Sequence, residues 1–173
     1  MTQAHSNAIR TIASRRDVLL GGTAVAVAGG ISAKGDARMI GVDMKRLVIE
    51  WARLWTAHDV AGLTALYTED AVYEDMALRH KSTGRAELHR FFEGTFVTFP
   101  DFKMAVGNAV ADRQFGSGEW IMSGTFLGES FGHAPTGKSF RVEGSCFMRF
   151  EGQRIRYHRD YWNEPTFSEQ IAP

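Results

Sequence analysis

Pro100 separates two incompatible hydrophobic periodicities, and no other feature of the chain restricts its fold as much. Ahead of it, Met44, Leu47, Val48, Trp51, Leu54, Trp55 and His58 recur at steps of three and four, which predicts a helix from residue 43 with one buried face. Asp59 is placed to cap a second, shorter helix carrying Leu63, Leu66 and Tyr67, which Thr68, Glu69 and Asp70 end. Residues 71–77 then form a strand candidate. A third helix starts near Gly84, with Glu87 reaching back to the open amides and Leu88, Phe91, Phe92, Thr95, Phe96 and Phe99 on one stripe. Pro100 stops it, because the ring removes a backbone donor and clashes with the preceding turn.

Beyond Pro100 the period becomes two. Phe102, Met104, Val106 and Val110 alternate with polar or small residues, and 119–127 and 140–150 read as further strands. Glu151, Gly152 and Gln153 turn the chain into a returning strand, 154–162. Helices followed by an antiparallel meander imply an α+β domain, with helices covering one face of a curved sheet and a pocket between the layers.

The 173 residues suffice for one core. Basic and acidic residues balance at 20 each and are mixed along the chain, which gives no footprint for nucleic acid or an anionic membrane surface. A small, largely uncharged ligand fits better. Cys146 is the single cysteine, so an intrachain disulfide is excluded, and without partners at ligand spacing so is a thiolate zinc site.

Chemistry concentrates on the last strand. Asp160 lies in a β-pattern of Ile, Tyr and Trp where aspartate is disfavoured, and such local conflicts mark working sites. His158 and Trp162 share its face, whereas Tyr157, Arg159 and Tyr161 point the other way. A carboxylate in an apolar cavity can take and return a proton. If Arg156 and Arg159 face away, Asp160 is a base; if either clamps it, Asp160 is a structural anion.

Before the domain, Ser14, Arg15, Arg16 and Leu19 precede a weakly apolar run over 21–31, and together they resemble a twin-arginine export signal. Val18 stands where phenylalanine is commoner and Leu20 where lysine often stands. The resemblance implies a signal peptide and short linker over 1–37, cleaved within 33–37, and a domain over 38–173. It further implies handling by the twin-arginine machinery and a periplasmic or secreted product. The run is too short and glycine-rich for stable membrane insertion.

The domain itself resembles the SnoaL-like polyketide cyclases of the nuclear-transport-factor-2-like superfamily. The similarity is carried by Ala57 to Leu63, by Tyr73, Glu74 and Asp75, and by Thr83, Gly84 and Arg85. Phe99, Pro100, Asp101 and Phe102, the loop 134–138 and the strand 154–162 carry the rest. It implies a cone-shaped, curved antiparallel sheet with three packing helices around a hydrophobic cavity, and a homodimer formed through the sheet. The residue matching Asp160 would be the general acid/base of an intramolecular aldol reaction, with no metal or organic cofactor. His158 and Tyr73 are its candidate catalytic companions, and Asp75, Cys146, Trp162 and Glu143 are candidate substrate contacts; His133 is a weaker one. The histidine and glutamine that cyclases carry on the preceding strand fall at Cys146 and Gly144, and their asparagine falls near Tyr73.

The expected activity is therefore cofactor-independent acid/base chemistry of cyclase, dehydratase or isomerase type on a small apolar carbonyl compound. A ligand-holding or dimerisation module without turnover is the alternative. Arg159, Asp160, Tyr161, Trp162 and Tyr73 also resemble limonene epoxide hydrolases, but Met122, Ser123, Gly124 and Thr125 lack the arginine and aspartate that such an enzyme needs.

Overall fold

The computed structural model describes residues 33–129 and 134–173, with side chains from residue 44 onward. The expected signal through residue 32 and His133 lie outside the described residues. The order of elements is α1 (Ala33–Ala57), α2 (Val60–Ala65), β1 (Tyr67–Asp75), β2 (His80–Thr83), α3 (Arg85–Thr98), β3 (Lys103–Ala111), β4 (Phe115–Thr125), β5 (Ser139–Glu151), β6 (Arg154–Trp162) and α4 (Glu164–Ile171).

The spacing before Pro100 does form helices. Val48, Trp51, Ala52, Leu54 and Trp55 of α1 are buried, and Leu88 and Phe92 of α3 meet them. Burying each large apolar side chain contributes about 1.5–3 kcal/mol, so this seam holds the helices to the sheet. The helical backbone of α1 begins at Ala33, ahead of the apolar pattern, and ends before His58, which takes a left-handed φ of 55°. The His58 ring is therefore not part of the helical face; its Nε2 bonds the Phe102 carbonyl at 2.8 Å. Asp59 caps α2 by accepting the Gly62 amide at 2.8 Å, and Glu87 accepts the Thr83 amide at 2.7 Å in front of α3.

Among the described residues, six strands form one sheet in the order β2-β1-β6-β5-β4-β3. Three findings modify the expected architecture. Tyr67 and the polar residues after it open β1 instead of ending α2, because Ile155 of β6 donates to the Leu66 carbonyl at 2.8 Å and pairs with Tyr67. Next, β1 runs parallel to β6, so the sheet is mixed; every other pairing is antiparallel. Finally, α4 is a fourth helix, capped by Asn163 with Pro165 in its first turn. Phe167 of α4 packs its edge on Phe99, Phe140 and Trp162 and closes one end of the space between sheet and helices.

Candidate functional site

The parallel junction builds the site. Tyr73 and Asp75 of β1 stand directly beside His158 and Asp160 of β6, and all four side chains point to the helix-covered face. The Tyr73 hydroxyl donates to Asp160 Oδ2 at 2.8 Å, and His158 Nε2 meets Asp160 Oδ1 at 3.1 Å. On the far side of the imidazole, the Tyr67 hydroxyl lies 2.7 Å from Nδ1. A buried Tyr67 hydroxyl that donates to Nδ1 leaves the imidazole proton on Nε2, so His158 donates to the carboxylate. Each Asp160 oxygen thus accepts one fixed donor, and the carboxylate borders a cavity of about 820 Å³.

The arginine question resolves in favour of an unclamped carboxylate. Arg159 reaches the opposite face and binds Glu74 through Nε at 2.9 Å, while Arg156 pairs with Asp70 at 3.0 Å. Tyr157 joins that outer group by donating to Glu74 at 2.6 Å. Its phenol is pushed up to about 12, by burial first and then by this bond, and the same bond with Arg159 holds Glu74 below the usual carboxylate range.

Asp75 does a different job. Its Oδ1 accepts the amides of Ala77 and Leu78 at 3.0 and 2.9 Å, tying down the β1–β2 turn, and both oxygens accept the Trp162 indole N–H at 3.0–3.1 Å. Burial pushes its pKa up, and these donors work against the rise. Trp162 is thereby held on the cavity wall, beside Phe91, Phe99, Phe102 and Phe140. The aromatic stripe of α3 accordingly serves both packing and lining.

His158 and Cys146 sit behind Asp160, fully or nearly fully buried, and do not line the cavity. Burial, with Asp160 adding to it, drives the Cys146 thiol far above its ordinary range. Cys146, His158 and Asp160 offer donor atoms within 4.8 Å of one another. Holding a metal there would require breaking the Tyr67–His158–Asp160 chain and ionising that thiol. Glu143 is a correction: its side chain is 73% exposed on the outer face, 3.2 Å from Arg141, because its register position alternates away from Val142 and Cys146.

Three elements of the site escaped the sequence. Tyr67 was assigned to a helix; His80 lies on a four-residue strand too short to show alternation; and Trp120 takes its place because position 144 is glycine. A Cβ on Gly144 would stand 2.7 Å from Cζ2 and Cζ3 of the Trp120 ring and closer still to Cη2. Gly144→Ala is therefore expected to cost about 1–3 kcal/mol by forcing that buried indole aside. A shifted urea midpoint with unchanged slope would show it, and an unmoved midpoint would contradict the contact.

The sequence matches the SnoaL-like polyketide cyclase family over residues 45–171. No curated protein matches it. Among solved structures, AclR from Streptomyces galilaeus, provisionally assigned as a hydroxylase, is 22% identical with a TM-score of 0.66, over 75% of this chain and 81% of that one. A protein with a ketosteroid isomerase-like fold from Catenulispora acidiphila, in complex with trimethylamine, is 22% identical with a TM-score of 0.65, over 72% and 91%. IdmH from Streptomyces antibioticus, provisionally assigned as a polyketide cyclase, is 20% identical with a TM-score of 0.65, over 75% and 99%. At these identities the likeness establishes the fold.

Proposed function

Because the chain belongs to the SnoaL-like polyketide cyclase family, we propose that it is an enzyme of cofactor-independent proton transfer, acting on a small apolar carbonyl compound with Asp160 as the proton carrier. The observation that carries this reading is a carboxylate open to an aromatic cavity, held by Tyr73 and His158 and clamped by no arginine among the described ion pairs. Beside an aromatic cavity, such a group takes a proton from the carbon next to a carbonyl and delivers a proton back to the same molecule, with exchange against solvent in between. Cyclase, dehydratase and isomerase steps all share this first event. His158 acts through Asp160 and is a positioning residue, with Tyr67 setting its tautomer. Epoxide opening is disfavoured, since β4 brings neither arginine nor aspartate to the cavity.

The test is deuterium exchange at the α-carbon of 2-tetralone, an apolar bicyclic ketone that fits the cavity, followed by NMR in D₂O. Acceleration over buffer supports the proposal. Saturable binding of 2-tetralone without acceleration would refute it in favour of a protein that only holds its ligand.

Two further parts of the proposal concern where the enzyme works and with what. Arg15 and Arg16 ahead of the apolar run support export through the twin-arginine route. Arg15→Lys combined with Arg16→Lys is expected to leave full-length protein in the cytoplasm; unchanged export of that variant would remove this part. No helix among the described residues is long and apolar enough to cross a membrane. Self-association through the outer sheet face is supported by Phe115 and Phe147, stacked at 5.8 Å and both exposed, with Tyr161 exposed as well.

A further inference from the structure

We propose that His80 is the second working residue of this site, its Nδ1–H donating to the substrate oxygen that becomes negative while Asp160 removes a proton from the neighbouring carbon. The inference rests on the proton-transfer reading and deepens it, by requiring a substrate whose oxygen and acidic carbon span the distance between these two groups.

Strand register supplies the geometry. One lateral row across the helix-covered face runs His80, Asp75, Asp160, Cys146, one residue from each of β2, β1, β6 and β5. The adjacent row runs Ser82, Tyr73, His158, Met148. Members of the second row hold members of the first: Ser82 holds His80, while Tyr73 and His158 hold Asp160. His80 and Asp160 are separated by two strand spacings, about 10 Å between backbones. Both line the cavity, so a carbonyl and its α-carbon can lie between an imidazole and a carboxylate. Asp75 stands between them, but its oxygens are occupied by the turn amides and by Trp162.

Buried Ser82 decides which nitrogen of His80 carries the proton. Ser82 is 2% exposed, and the described bond of its hydroxyl is to His80 Nε2 at 2.8 Å. If this buried hydroxyl accepted from Nε2, its own proton would have no described partner, so we take it to donate, which makes Nε2 the acceptor and puts the ring proton on Nδ1. None of the described hydrogen bonds uses Nδ1. The ring is fixed by stacking on Phe91, with centroids 4.6 Å apart and planes 15° apart, and Phe91 in turn lies 5.1 Å from the Tyr73 ring. His80 thus lines the cavity with its ring fixed and its Nδ1 without a described partner. Burial also holds its imidazole below the usual histidine range and so favours the neutral ring, against the pull of Glu87.

A neutral imidazole stabilises an oxyanion by hydrogen bonding and does not surrender its proton. The balance is then complete with the groups present. The Asp160 carboxylate takes the proton from the carbon, the electron pair of the C–H bond becomes the C=C bond of the enolate, and the carbonyl π pair moves onto the oxygen, which His80 meets. Protonated Asp160 then delivers a proton to carbon or oxygen, a deuteron where the acid has exchanged with D₂O while the enolate lasts, and the carboxylate is restored.

The test uses the full chain and separates the two residues. His80→Phe keeps the ring stack and removes the donor; it should slow α-deuteration of 2-tetralone about 100-fold, the usual effect of losing one such donor. His80→Asn restores a donor near the Nδ1 position and should recover part of that loss. Binding of 2-naphthol, whose ionised form stands in for the enolate, adds a spectroscopic readout. The wild-type chain should favour bound naphtholate, His80→Phe should lose that preference, and Asp160→Asn should keep it. Exchange within threefold of wild type in His80→Phe, with exchange still dependent on Asp160, would overturn the role of His80 and leave the proposed function standing. Exchange indifferent to Asp160→Asn would instead remove the proposed function, and the naphtholate preference of His80→Phe would then decide the donor by itself. Should His80→Phe fail to fold, the ¹⁵N shifts of the wild-type imidazole decide the case: an Nδ1–H tautomer supports the proposal, and Nε2–H overturns it.

Discussion

Asp160→Asn is expected to remove the acceleration of α-proton exchange, a loss of about 10²–10⁴-fold, the range typical of a positioned general base. The amide has almost the shape of the carboxylate but cannot accept a proton at working pH. It can still accept from Tyr73 through its remaining oxygen. Its NH₂ group, however, faces the Nε2–H of His158 and must find a different arrangement with the Tyr67–His158 pair. Stability should therefore fall by no more than about 1–3 kcal/mol, the cost of one poorly satisfied buried hydrogen bond. Thermal unfolding and exchange measured on one sample separate the two effects. A folded Asn variant that still accelerates exchange would rule out Asp160 as the proton carrier.

Trp55→Ala is expected to be the most destabilising single truncation in the helical layer, costing about 3–5 kcal/mol. The indole is 3% exposed, and it meets the rings of Phe92 at 5.1 Å, Phe102 at 5.2 Å and Phe96 at 5.4 Å. These partners come from α3 and from Phe102 in the connection just ahead of β3, so a single side chain of α1 joins three parts of the fold. Domains of this size hold about 5–15 kcal/mol in total, which leaves the Ala variant marginal. Urea unfolding with an unchanged slope measures the loss; a cost under about 1 kcal/mol would mean that the surrounding rings collapse into the space. Trp55 also lines the cavity, so the variant should bind 2-tetralone more weakly even where it remains folded.

The helical spacing ahead of Pro100 marked α1 and α3, and the alternation beyond it marked strands of β3 to β6, because side-chain direction follows from backbone geometry within each element. The same local rule put His158, Asp160 and Trp162 on one face of β6 and Arg159 on the other, as the ion pair with Glu74 requires. Glu143 obeys that rule as well. Its composition suited a polar contact, but the alternation of β5 buries Val142 and Cys146 and turns Glu143 outward. In α4 the signal was present and unused: Asn163 followed by Pro165 is an N-cap with proline in the first turn. His80 carried no local signal at all, since β2 has four residues and gains its meaning from lying beside Asp75.

What the sequence determined by itself is α1, α3 and the long strands after Pro100, with the face that side chains take within them, for these depend on covalent spacing and local dihedral preference. It also determined that a carboxylate sits where a core strand has no use for one. Only the tertiary structure decided which strands are neighbours. The parallel placement of β1 against β6 brings Tyr73 to Asp160 across 87 positions of chain and leaves both arginines on the far side. That choice is settled by the packing free energy of the whole sheet under its helices, a sum over distant contacts that no short window of sequence contains.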